Sequence, residues 1–337
     1  MAASRIATYR IQLTPDVGFA DVVGRFDHLR GLGVSHVYLS PVTEAVPGST
    51  HGYDVVDHGA VRAELGGADG LFALLDAAAE RDMAVLVDHV PNHVAVGRPE
   101  LNRPWWALLR DGEGSAASRW FDVDWDGGAG RVVLPVLGEP LDELLARRDV
   151  EVVAGDDGGR LRIGELHLPL ADGTASLAPM EAVGAQHYRL VHWRSPERNV
   201  RRFFTIDDLV AVCVEHEEVA VVVDTVPRLL ADHPGFGGVR VDHVDGLADP
   251  GAYLAGLRAI VGPDRWVLVE KILAPDERLP APWPVDGTTG YEHAAVLEHA
   301  MLDRAGWATM ADRWQRWTGD ARPFRAWELE ARREVLA

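Results

Sequence analysis

The sequence predicts an α/β fold: a parallel sheet with helices outside it, interrupted by a long insertion after the third strand and helical at its end. Three observations carry this reading. Short β-rich runs alternate with amphipathic helical stretches, an aromatic, Gly/Asp-rich excursion follows, and the closing stretch returns to helical periodicity.

The strand candidates are "ATYRIQL" (7–13), "SHVYLSP" (35–41), "MAVLVDHV" (83–90), "GVRVDHV" (238–244) and "RWVLVEK" (265–271), with a sixth near "PWPVDGTTG". Between the first three lie "FADVVGRFDHLRGLG" and "GADGLFALLDAAAERD", whose apolar residues recur at helical spacing with Gly or Asp near each end. Between His93 and about Gly235 this regularity breaks into turns ("DWDGGAGR", "GDDGGRL") and alternating runs ("RVVLPVL", "RLRIGELHLPL"). The expected division is 1–93 (strands one to three with their helices), 94–235 (insertion and return helix), 236–292 (strands four, five and the candidate sixth) and 293–337 (a helical segment that stops inside a helix).

Composition narrows the function. Of 337 residues, 47% are apolar, enough for a sizeable core, yet no run is long enough to span a bilayer. No secretory apolar region opens the chain, so a cytoplasmic location is expected. A formal charge of −19 repels phosphate backbones and anionic lipid, so neither nucleic acid nor membrane is an expected partner. The single cysteine, Cys213, reads as a small core residue. Only one lysine occurs, Lys271, against a background of arginine, which suggests a place that a planar guanidinium would not fit.

The chemistry-bearing residues cluster at strand ends. In "GVRVDHVDGL", Arg240 and Asp242 are two apart and so share a face, and a guanidinium beside a carboxylate keeps it ionised. A structural ion pair is the competing reading. Glu270 ends the next strand after three apolar residues whose desolvation would raise its pKa. A charged acid and a protonated acid on neighbouring strands suit retaining glycosyl transfer, for which carboxyl groups stand ~5–5.5 Å apart. Asp88, Asn92 and His93 in "VDHVPNHV" follow the third strand, and His51, Tyr53 and Asp54 in "PGSTHGYDVVDH" follow the second. The first cluster also reads as turn chemistry, and Tyr53 also reads as a residue that packs across the mouth of the sheet. The histidines lack metal-ligand spacing, so no metal is expected. Among 11 Trp, those at 105, 106, 120, 125 and 193 stand in the insertion, most as core and one or two as stacking platforms.

Together, "STHGYDVVDH", "VDHVPNH", "VRVDHVDGL" and "WVLVEKIL" resemble, in order, the signature regions of the α-amylase superfamily. Further motifs, "YRIQLTPDVGF", "FDVDWDGGAGRVVLPVLGEPL", "QHYRLVHWR", "NVRRFF", "VEKILAPDERLP" and "GTTGYE", narrow the resemblance to its maltooligosyl trehalose synthase family over nearly the whole chain. The resemblance implies an incomplete (β/α)8 TIM-type barrel with a B domain inserted after the third strand. It implies Asp242 as nucleophile and Glu270 as general acid/base, with Tyr53, Asp54, His51, Asp88, Asn92, His93, Arg240, His243, Asp245 and Lys271 lining the substrate site. The implied reaction is an intramolecular transglycosylation that turns the reducing-end α-1,4 bond of a maltooligosaccharide into an α,α-1,1 bond, without metal or organic cofactor. The implied partners are an α-glucan substrate and a complementary C-terminal polypeptide, because the family's third acid lies beyond the last residue. Val200, Thr205 and Glu292 depart from the family pattern. Little or no turnover by the chain alone is therefore expected, and an α-glucan hydrolase or transferase of the superfamily, or a non-catalytic glycan-binding remnant, are the alternatives.

Overall fold

Six parallel strands form the sheet that positions the site in the computed structural model, which describes residues 5–155 and 158–336. They are β1 (Thr8–Ile11), β2 (His36–Leu39), β3 (Ala84–His89), β4 (Phe236–Val241), β5 (Trp266–Val269) and β6 (Gly287–Thr288). Their order in the sheet is their order in the chain, and every pairing is parallel. That progression is the one followed around a (β/α) barrel, with β1 and β6 at the open edges. Thr8, Tyr9 and Arg10 of β1 are exposed, whereas every residue of β2, β3 and β4 is buried.

The buried strands have both faces covered, which explains the pattern of β4. Val239 and Val241 belong to the apolar core together with Leu254 and Leu257 of the helix Pro250–Val261, while Arg240 alternates to the opposite face. The same alternation divides β3: Asp88 takes the inner face, and His89 bonds outward to the Tyr253 hydroxyl (2.8 Å) and Asp224 (3.1 Å). β4 passes very close to β5 at Gly238, where φ is +137° and a Cβ would stand 2.0 Å from the Trp266 carbonyl oxygen. Only glycine fits there.

The expected fourth strand is shorter than the sequence pattern suggests. It ends at Val241, and His243 turns the chain with φ +40° into a short 3-10 turn over Val244–Gly246. Asp242 therefore stands just past a strand end, as Glu270 does after β5. The sixth strand is only two residues long, Gly287–Thr288.

Between β3 and β4 runs the long insertion. Its short strand His93–Ala95 pairs antiparallel with Leu209–Ala211, closing its base. Within it, Val132–Leu137 pairs in parallel with Tyr188–His192, and Val150–Val153, Arg160–Ile163 and Leu166–Pro169 make an antiparallel sheet. The chain then returns through the helices Glu217–Val223 and Thr225–Leu230. Cys213 is buried, and burial pushes its thiol up to about 11, as suits a packing residue. Residues 272–277 and 290–337 form a separate compact unit with the helices Tyr291–Met301, Arg304–Thr318 and Phe324–Leu336. Among the described residues no helix is long and apolar enough to cross a membrane.

Candidate active site

The register that pairs Arg240 with Asp88 across β3 and β4 places a guanidinium among three carboxylates. One Arg240 nitrogen donates to Asp88 Oδ1 (2.8 Å) and to Asp242 Oδ1 (2.9 Å), and its other terminal nitrogen pairs with Glu270 Oε1 at 2.9 Å. A single planar fork thus holds the ends of β3, β4 and β5 together, which lysine's point charge would not do. Arg240 is 95% shielded, and although burial works against its charge, Asp88, Tyr38, Asp242 and Glu270 hold its pKa above the ordinary arginine value.

Asp88 is the most enclosed of the three acids. Burial pushes it up to about 6 against the pull of Arg240; Asp242 adds to the rise, and the hydroxyls of Tyr53 and Tyr38 oppose it. Both tyrosines donate to Asp88 Oδ2, at 2.5 and 2.7 Å. Asn92 anchors Asp242 by donating to its carbonyl (2.7 Å) and to Oδ2 (3.2 Å). His93 reaches Asn92 through Nδ1 and the carbonyl of Tyr53 through Nε2, so the loop carrying Tyr53 is tied to the end of β3. Burial lowers His93 to about 4, which keeps the ring neutral.

Glu270 has a more polar setting than the apolar run before it suggests: its Oε1 meets Arg240, and its Oε2 accepts the backbone N–H of His243 at 3.0 Å. The unusual φ of His243 accompanies that N–H contact, and its ring packs against Phe203 and Phe204 at centroid distances of 5.0 and 4.7 Å. Lys271 and Asp245, both expected in the site, pair with each other at 3.0 Å. Asp54 accepts from Ser49 at 2.5 Å and lies 3.7 Å from His51, so these two residues shape the Tyr53 loop.

Three contributors escaped the sequence reading. Tyr38 is the polar-tipped aromatic between Val37 and Leu39 of β2, a signal that was available. Arg10 lies 5.5 Å over the Tyr38 ring and donates to the Tyr53 hydroxyl at 3.2 Å. Phe203 packs against His93 in a tilted ring pair with centroids 4.1 Å apart, beside an exposed Phe204 with φ +51°. Among the described residues no group of three or more His, Cys, Asp or Glu is placed to hold a metal ion.

Comparison with known proteins gives this cluster its relatives. Residues 18–101 match the family model "Alpha amylase, catalytic domain". A Mycobacterium tuberculosis protein named "Putative maltooligosyl trehalose synthase" is 45% identical over 316 residues, covering 91% of this chain and 40% of that protein. The structure of maltooligosyltrehalose synthase from Arthrobacter ramosus superposes with a TM-score of 0.88 at 40% identity, covering 95% of this chain and 41% of the other. The chain is homologous to the maltooligosyl trehalose synthases. It spans about 40% of the length of those relatives. A cyclomaltodextrinase with a TM-score of 0.54 at 20% identity shares the fold. The sheet is thus an incomplete α-amylase-type barrel, with a long insertion after β3.

Proposed function

We propose that the chain carries the catalytic carboxylates of a maltooligosyl trehalose synthase-type transglycosylase, acting on α-glucans in trehalose biosynthesis in the cytoplasm. The observation that carries the reading is the Arg240 fork, which joins Asp242 and Glu270 across two strand ends at 2.9 Å each. Strands of a sheet lie ~4.7–4.9 Å apart, close to the ~5–5.5 Å that retaining chemistry requires of its two acids.

In this reading Asp242, held by Arg240 and Asn92, attacks the anomeric carbon of the reducing-end linkage. Glu270 delivers a proton to the bridging oxygen, which requires the sugar to take the place that Arg240 holds at Oε1. The enzyme-bound glycosyl group is then attacked by the anomeric hydroxyl of the released glucose, with Glu270 taking that proton back. The glucose must turn without leaving, so water has to be kept out. Phe203, Phe204 and Tyr53 supply apolar surface for that purpose. Residues 94–235 supply the B-domain-like insertion and the return helix. A complementary C-terminal polypeptide would close the sheet beyond β6 and supply the third acid.

The test is incubation with maltopentaose, scoring non-reducing product against released glucose. The chain alone is expected to show little turnover, and with the complementary polypeptide it is expected to form trehalose-ended product. In that complete form Asp242→Asn abolishes turnover while the protein stays folded. Retained activity would remove Asp242 from the nucleophile role, and glucose without non-reducing product would favour a hydrolase.

A further inference from the structure

Away from the carboxylates, the insertion encloses a cavity of about 860 Å³ to which neither Asp242 nor Glu270 contributes. This lies in the upper part of the ~300–1,000 Å³ range of small-molecule sites. A second hollow of about 520 Å³ shares Val136, Gly138, Glu165 and Leu166 with it, so the two lie side by side at the end of the Val132–Leu137 strand and are taken together as one trough.

The lining suits a neutral, linear, hydroxyl-rich ligand. Buried Trp105, Val133, Leu134 and Leu168 give an apolar floor. Trp193 stands on the rim, 51% exposed, with Arg194 at 4.5 Å over its ring fixing the indole. Aromatic rims of this kind offer a flat face to a pyranose. Around the larger cavity Arg98, Arg198 and Arg202 face four carboxylates, and Asp207 is already held by two of those arginines. In that larger cavity an anionic ligand such as a sugar phosphate meets no spare positive charge. Among the described residues the side chains of His167 and Asp208 have no hydrogen-bond or ion-pair partner, leaving acceptors and a donor for hydroxyls.

We infer that this trough is an accessory α-glucan-binding site that holds a stretch of maltooligosaccharide away from the reacting end. The ligand class rests on the proposed function; the site rests on the trough itself. A chain labelled with 5-fluorotryptophan reads it directly, the Trp193 fluorine resonance being assigned from its loss in Trp193→Phe. Maltoheptaose is expected to shift that resonance saturably. Val136→Arg, at a 40% exposed position in the shared wall, should weaken the response at least about tenfold. In a Phe204→Trp chain the added resonance reports the carboxylate hollow independently. A Trp193 shift without a response there upholds the accessory site and counts against the proposed function. A response at residue 204 with Trp193 unmoved, or a Trp193 shift indifferent to Val136→Arg, overturns the accessory site. Silence at both positions overturns both readings.

Discussion

Asp88→Asn should stabilise the chain, relative to the parent, increasingly as pH rises from 4 to 7. In the native state Asp88 keeps its proton up to about pH 6, while its ordinary value is 3.8. Between these values the native state binds more protons than the unfolded chain. The stability this group contributes is therefore complete below 3.8 and lost as pH climbs through 6. At about 1.4 kcal/mol per pH unit, that interval is worth about 3 kcal/mol. His36, His58 and His93, each lowered to about 4 with burial as the largest cause, act in the opposite sense: their contribution is lost as pH falls from 6.5 through 4. The raw curve of the parent mixes the two, so the difference between variant and parent is the quantity to follow. Urea unfolding by tryptophan fluorescence at pH 4, 5, 6 and 7 should give a difference that grows by about 2 kcal/mol, most of the full interval, above a constant offset from altered bonds to Tyr38, Tyr53 and Arg240. A difference flat across that range would refute the assignment of a proton-retaining buried acid at the centre of the site.

Other perturbations follow from the same geometry. Tyr53→Phe removes one of the bonds that favour the Asp88 carboxylate, so its titration should move further upward, seen as a higher midpoint in the carboxyl carbon shift by NMR. Asn92→Ala deletes the buried amide nitrogen that makes two hydrogen bonds to Asp242, and chemical denaturation should report a loss of about 2–3 kcal/mol. Gly238→Ala sets a methyl against the β5 backbone at a positive φ, and a loss of at least about 3 kcal/mol, or no soluble protein, is expected in the same assay.

The sheet was legible because its strands are apolar runs bounded by turn residues and separated by helical periodicity. The site was legible where alternation could be applied: Arg240 and Asp242 share a face as their spacing requires, and Asn92 and His93 lie beside them. Sequence reasoning failed where long-range packing decides. Glu270 follows three apolar residues, yet its carboxylate turns to a guanidinium from the neighbouring strand. Arg10 comes from the first strand and reaches a loop more than forty residues later, a contact no local pattern encodes. Lys271 and Asp245, each plausible against a sugar, satisfy one another.

The pairing of Lys271 has a practical corollary. As the sole lysine, it gives acylating reagents a single side-chain amine, positioned one residue after Glu270 and largely shielded while Asp245 holds it. The speed at which such a reagent modifies it reports how often that amine becomes accessible, and a dye attached there would sit one residue from Glu270 without any engineered cysteine.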